Sequence, residues 1–432
     1  MKSLLLLDLT GRVFLQKEKV LYWLISAFFI SLFLPDMPVI NNILIGATVL
    51  HGCFYNSFSE KARLLKERKG IWMMVLFYAW QILSAAQSEN GQEAGTMLVL
   101  RLPLLVFPLF IGLLYIREEL KDRILLSYCF FTTIAATVCM IYAFYQYSLS
   151  GSTDRLYDDN LTRAIGRPSV YIAIAVNLAL FTYVYLLQKK SFAIQYKGLV
   201  FLSIAFLVVF HYMLANRIAI ISLYTAFLIF AIWHYGRAGK ILTGVLLVAF
   251  LLAGAALMIR FFPRTADRFR QLTYVGNGQN GLLSTSYDSS FLTPDQYNET
   301  NFRLPVWKSG WQLFRDHPLT GIPLGDKETA LMEVYKQRQL DFAWKARLNM
   351  HNTYLDVLCN LGAIGLLVFL LGYVIFPLGA GWRMRDGLGL FIILTFAIAM
   401  CTETWPDRSI GCIMLGFFCS LVSAWKRKPA MN

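Results

Sequence analysis

Apolar residues in this chain run in long stretches separated by short polar or charged clusters, with neither the period-two alternation of half-buried strands nor isolated amphipathic stripes. Twelve such stretches fall near residues 20–35, 37–55, 71–87, 97–116, 124–148, 167–187, 198–215, 217–234, 241–259, 353–377, 388–402 and 409–425. A transmembrane helix needs about 20 mostly apolar residues, so the pattern predicts an all-α polytopic membrane protein with about 12 transmembrane helices. It divides the chain into helices one to nine over 1–259, a hydrophilic segment over 260–352, and helices ten to twelve with a tail over 353–432. Within the hydrophilic segment, Arg303 to Phe314 has helical periodicity, with Arg303, Trp307 and Trp311 four residues apart on one face. Asp316-His317-Pro318 ends that pattern, and a second helical stretch runs from Asp326 to Leu348. Gly276 to Asn301, rich in Gly, Ser, Thr and Asn, reads as loop.

Composition agrees with the bilayer reading. Hydrophobic residues make up 57% of the 432 and charged residues only 15%, against roughly 25% charged in soluble domains. The net charge of +14 would suggest nucleic acid in a soluble protein; here its placement follows topology. With the N-terminus in the cytoplasm, inside segments hold 22 Lys/Arg, and outside segments hold 6 once the 260–352 loop is set apart. That bias satisfies the positive-inside rule, from which long translocated loops are exempt. Both ends are expected inside and 260–352 outside. The N-terminal apolar patch to Leu9 has no small-residue cleavage site after it and reads as a lead-in. The seven cysteines form no C-x-x-C pair and fall mostly within apolar runs, so they read as small buried hydrophobes.

Candidate chemistry gathers at the outer ends of the stretches. Arg217, between apolar runs, is either a snorkelling interface anchor or an anion clamp at the floor of an outer cavity. Arg101, at an outer helix end before Pro103, poses the same choice, and Arg163 and Arg167 are rim positives or flanking charges. His351 opens the tenth stretch and is either a packed interfacial imidazole or a proton acceptor beside phosphorylated substrate. Asp158-Asp159, with Asp154 nearby, reads as a solvated loop face. No phosphate-binding or dinucleotide glycine motif is present, so no cofactor and no metal are expected.

Three stretches carry a resemblance: Ala215-Asn216-Arg217; Phe302-Arg303 through Trp307 and Phe314 to His317-Pro318-Leu319 and Gly321; and His351-Asn352-Thr353-Tyr354-Leu355 with Leu361-Gly362 and Ile364-Gly365-Leu366. Together they resemble the O-antigen ligase family, polytopic membrane glycosyltransferases that include O-antigen polymerases, over roughly residues 165–425. Gly321-Ile322-Pro323-Leu324-Gly325 departs from the family's more open glycine turns through Pro323. The resemblance implies a GT-C-like fold with a long periplasmic helical loop before the tenth span. It also implies a location in the bacterial inner membrane, with the active site facing the periplasm. The implied reaction is metal-independent, inverting transfer of a glycan from undecaprenyl diphosphate to lipid A-core. The alternative is transfer to another lipid-linked glycan by a surface-polysaccharide polymerase. His351 would match the histidine that activates the acceptor hydroxyl, and Arg217 and Arg303 the arginines that hold the donor diphosphate. Arg101, Arg163, Arg167, Trp307, Glu403 and Arg408 are grouped around them as substrate-binding residues, with Glu403 and Arg408 placed to orient the histidine or pair with each other. A lipid-linked glycan transporter would instead need polar residues through the middle of many spans and paired broken helices, and the sequence shows no inverted repeat.

Overall fold

A computed structural model describes residues 16–35, 37–189, 197–237, 239, 241–270 and 299–424. Most of the Gly276–Asn301 loop lies outside the described residues. The described chain is helical almost throughout: α1 Gln16–Leu32, α2 Pro38–Tyr55, α3 Phe58–Glu67, α4 Lys69–Ala85, α5 Gly91–Arg101, α6 Pro103–Phe110, α7 Glu118–Ser150, α8 Asp158–Leu161, α9 Ser169–Leu187 and α10 Lys197–Met213. There follow α11 Arg217–Arg237, α12 Ile241–Phe261, α13 Pro263–Arg270, α14 Glu299–Asp316, α15 Lys327–Gln337, α16 Asp341–Lys345 and α17 Thr353–Leu370. A π turn at Leu371–Ile375 leads into α18 Phe376–Met384, and α19 Gly387–Ala399 and α20 Ser409–Ala424 complete the order.

The count of about twelve spans is corrected by this structure. Among the described residues six helices are long and apolar enough to cross a membrane: Gly91–Phe110, Glu118–Ser150, Ser169–Leu187, Arg217–Gly236, Ile241–Met258 and Thr353–Met384. The apolar helices Val39–Tyr55, Lys197–Met213, Gly387–Ala399 and Ser409–Ala424 are shorter, at 10–17 residues. Apolar runs overcount because they include residues outside the helix. The helix in the run at 198–215 ends at Met213, before Ala215 turns to φ +47°, and the helix in the run at 388–402 ends at Ala399. At about 1.5 Å per residue, a thirteen-residue helix spans only about 20 Å of a hydrocarbon core near 30 Å thick. The chain is an all-α polytopic membrane protein, and among the described residues fewer helices are long enough to cross than its hydropathy suggests.

Burial separates two kinds of apolar helix. Ser169–Leu187 has 78% of its apolar window buried inside the protein, whereas Ile241–Met258 has 6%. The core is built around α9 and an aromatic cluster in which Phe28, Phe29, Phe107, Tyr128, Phe417 and Phe418 meet edge-on or tilted at 4.9–5.7 Å. Such pairs add to area burial by aligning positive ring edges with negative faces.

Helix α14 contains the expected Arg303–Phe314 stretch and ends at Asp316. The Asp326–Leu348 stretch divides into α15 and α16 around Gln339, at φ +55°. After α16 comes α17, which packs against α14 and whose helix breaks at Gly362 (φ 67°, ψ −172°). The break frees backbone amides that cannot remain unpaired in a buried site. Ala363 N donates to Pro318 O at 2.9 Å, Ile364 N to Leu319 O at 3.4 Å, and Ile322 N to Cys359 O at 2.8 Å. A Cβ on Gly321 would sit 2.5 Å from the Asn360 carbonyl carbon, and one on Gly362 would collide with the Leu319 carbonyl. The His-Pro-Leu-x-Gly and Leu-Gly motifs, forty residues apart, are therefore two halves of one joint. The turn containing Pro323 docks elsewhere: Gly325 N donates to Ser88 Oγ at 2.9 Å, and Asp326 accepts from the amides of Glu89 and Asn90.

Candidate functional site

Three segments converge just outside the start of α17. Trp307 Nε1 donates to Met350 O at 2.9 Å, which fixes the residue before His351. His351 adopts φ +44°, a left-handed conformation costing a non-glycine residue roughly 1–2 kcal/mol, and its amide donates to Asn349 Oδ1 at 3.1 Å. Asn352 caps α17 by accepting from Leu355 N at 3.0 Å. Thr353 ties in the loop after α19. Its amide donates to Met400 O at 2.9 Å, its hydroxyl donates to Glu403 O at 2.6 Å, and that hydroxyl accepts from Trp405 N at 3.0 Å. These bonds set Glu403 between two predicted site residues. Its carboxylate lies 3.6 Å from His351 Nδ1 and 3.7 Å from Arg303 Nη2. Side-chain exposures of 37% for His351 and 19% for both Arg303 and Glu403 leave the cluster open to a ligand.

Beside it lies a second, closed cluster. Arg101, only 1% exposed, donates to Gln81 Oε1 at 3.1 Å, Pro406 O at 3.3 Å and Asp407 Oδ1 at 2.9 Å. Lys327 Nζ bridges Asp356 Oδ1 at 2.9 Å and Asp407 Oδ2 at 3.0 Å. Two cations and two carboxylates balance in the interior, as buried charges must. Burial pushes the Asp407 carboxyl up, but Lys327 and Arg101 outweigh it and hold the group below its ordinary value. Burial likewise disfavours charge on Lys327, and Asp356 and Asp407 more than reverse it. Arg101, expected with the substrate arginines, is thus part of an interior clamp joining α5, α15, α17 and the 400–408 loop. Sequence reading missed Asp356 and Lys327, although a carboxylate as the fourth residue of an apolar stretch is costly enough to have flagged one.

The remaining candidates lie at the same end of the bundle. Helix α11 runs antiparallel to α19, with Phe230 against Gly387 and Phe227 against Phe391, so Arg217 sits at the Met400 end. Its guanidinium donates to Arg268 O at 3.0 Å, and Arg268 and Arg264 pair with Asp158 at 3.1 and 3.6 Å. Asp159 accepts from Ser169 N at 2.7 Å at the start of α9. Arg167 donates to the carbonyls of Leu32 and Leu34; Arg163 and Arg408 are exposed. Tyr171 stacks edge-on against Trp405 at 5.0 Å, anchoring the α9 end to the same loop.

A cleft of about 730 Å³ starts at Asn352, next to His351, and runs between α14 and α17. Trp307, Trp311, Tyr354, Leu355 and Leu358 line it, with Lys308, Arg315 and Arg338. The arrangement offers a half-exposed imidazole, an oriented carboxylate, an arginine and an adjoining amphipathic cleft. Such a set suits proton transfer beside an anionic amphiphile.

No curated protein matches the chain. The model of the O-antigen ligase family matches residues 202–370, a stretch that includes Arg217, Arg303, the Gly321–Gly362 joint and His351. Over those residues the chain is similar to the O-antigen ligase family.

Proposed function

We propose that this protein is an O-antigen ligase, transferring a glycan from undecaprenyl diphosphate to lipid A-core at the periplasmic face of the inner membrane. The observation that supports this reading is the meeting of His351, Glu403 and Arg303 at the open end of the bundle. With Nδ1 turned to Glu403, the basic lone pair is on Nε2. Nε2 takes the proton of the acceptor hydroxyl as its oxygen attacks the anomeric carbon. The bond from that carbon to the diphosphate breaks on the opposite face, inverting the centre and releasing undecaprenyl diphosphate. Arg303 meets the charge that develops on the leaving group, where a planar guanidinium is most effective. Arg217, at the same end of the bundle, holds the donor's diphosphate with it. Glu403 is a positioning residue, acting through the imidazole.

The test is reconstitution of the full chain in liposomes with an undecaprenyl-diphosphate-linked glycan and lipid A-core. Glycan attached to lipid A-core is the expected product. Elongated lipid-linked chains with bare lipid A-core would replace this reading with a polymerase.

A further inference from the structure

We infer that Asp158 governs the release of undecaprenyl diphosphate, by competing with that diphosphate for Arg264 and Arg268 of α13. The inference rests on the donor named above, which ligase and polymerase share. Arg217, assigned to the donor's diphosphate, donates to the carbonyl of Arg268 at 3.0 Å. That bond puts α13 against the proposed diphosphate site. Arg264 and Arg268 lie one turn apart on α13, and both reach Asp158, at 3.6 and 3.1 Å. One carboxylate thus holds two guanidinium groups, with a third, from Arg217, beside them. A diphosphate offers the same groups more oxygens and more charge than a carboxylate, so it takes them from Asp158 when the donor binds.

The contact is built to be exchanged, because neither side depends on it for its place. The backbone around Asp158 is fixed by other groups. Asp159 accepts from Ser169 N at 2.7 Å, Thr162 Oγ1 donates to Arg167 O at 2.6 Å, and Asn160 Nδ2 donates to Asp154 O at 3.2 Å. Within this frame Asp158 adopts φ +55°, a left-handed conformation that few non-glycine residues take, with its carboxylate toward α13. Helix α13 is held by the fully buried Thr265, whose hydroxyl donates to Tyr212 O at 2.6 Å. Phe262, just before the helix, stacks on the Tyr212 ring at 5.8 Å. The ion pairs themselves are partly exposed, at 20% for Asp158, 26% for Arg268 and 50% for Arg264, and such pairs are weak. The need for exchange follows from the reaction. Breaking the bond to the anomeric carbon leaves a further negative charge on the diphosphate, so the arginines hold the product more tightly than the donor. Without a competing anion, each turnover would end on a tightly held product. The return of Asp158 to the arginines lowers their hold on the leaving lipid. Asp158 acts through the arginines and is a positioning residue.

The test measures product binding and turnover separately. The full chain in phosphatidylcholine nanodiscs is titrated with undecaprenyl diphosphate, with no acceptor present. D158N should bind it about threefold to tenfold more tightly than wild type, the scale of two partly exposed ion pairs, at an unchanged melting temperature. R264Q/R268Q should bind it at least about tenfold more weakly, since charge-assisted contacts to phosphate are the strong ones. Adding D158N to that variant should change nothing further. With donor and acceptor supplied, D158N should lower kcat and KM together, while a single turnover of prebound donor keeps its rate. A merely structural Asp158 gives the reverse, a lower melting temperature and a KM that stays or rises. Unchanged or weaker product binding by a folded D158N protein would overturn the inference. So would product binding by R264Q/R268Q equal to wild type, a result that decides the matter even where D158N does not fold. Displacement of undecaprenyl diphosphate from wild type by equimolar phosphatidylglycerol would overturn it too, by making the arginines a seat for ordinary anionic lipid. Transfer to a lipid-linked acceptor in place of lipid A-core, with the D158N effect intact, would remove the ligase reading and leave the role of Asp158 standing.

Discussion

Two charged clusters share one loop at one end of this bundle, and their difference separates scaffold from chemistry. Asp407 belongs to the first, with Arg101, Lys327 and Asp356; Glu403, four residues earlier, belongs to the second, with His351 and Arg303. The first is sealed: its side chains are at most 10% exposed, its charges balance, and its main contacts are 2.9–3.1 Å. The second is 19–37% exposed, its contacts are 3.6–3.7 Å, and it contains a non-glycine residue at positive φ. Full pairing in a dry interior rigidifies but leaves nothing with which to bind. Loose pairing at a surface, held by bonds to the neighbouring backbone, leaves side chains available to a substrate and able to tighten when it arrives. The closed cluster fixes the loop that presents Glu403 to the open one.

The largest effect that would sharpen this contrast is expected at His351. H351Q should lower turnover by about 10²–10⁴-fold, the usual range for removal of a general base, with donor affinity and melting temperature nearly unchanged. Near-normal turnover in a stably folded variant would end the base assignment.

Lys327 should show the opposite pattern. K327M leaves two buried carboxylates facing Arg101 alone, and breaking a buried pair on one side costs about 3–5 kcal/mol. Thermal unfolding should report that loss, and K327M/D356N should recover much of it by removing the orphaned charge as well. A K327M protein as stable as wild type would show that the cluster is not the clamp described.

At Arg303, alanine should weaken donor use more than lysine does, because lysine keeps a point charge while losing the guanidinium fork. Identical donor dependence in R303K and R303A would place the arginine outside the diphosphate site. E403Q should cost about 10–100-fold in turnover, the scale seen when a partner that orients a histidine is lost from metal sites. Stability should hold, since Glu403 is partly exposed.

The smallest effect is an expected flatness. Asp407 is held below its ordinary value, so its stabilisation is present above the unfolded carboxyl value near 3.9 and lost as pH falls through the lower folded one. Lys327 is raised, so its stabilisation is present below about 10.4 and lost as pH rises through the higher folded value. Between about pH 5 and 9 neither group changes its charge in the wild type, so neither should give the wild-type melting temperature any pH dependence there. A wild-type melting temperature that changes steeply inside this window would mean that another group carries the dependence.

The sequence by itself determined the solvent, the helical class, the α14 periodicity and the motifs that lie within the family match. Each follows from short-range pattern: run length, composition, or spacing along one helix. His351, Arg303 and Glu403 were visible as residue types in suggestive places, and so was the amphipathic face of Trp307 and Trp311. Only the tertiary structure decided how many stretches are long enough to cross a membrane, because a helix end such as Met213, before the turn at Ala215, depends on backbone geometry that hydropathy does not record. It also decided the division of labour among the charges. Arg101 and Arg303 look alike in sequence, each near a helix end. One is enclosed by Asp407 and Asp356, more than two hundred and fifty residues away, and the other stands beside His351 across Glu403. Electrostatic role depends on burial and on partners brought together across the chain, and those exist only once the helices have packed.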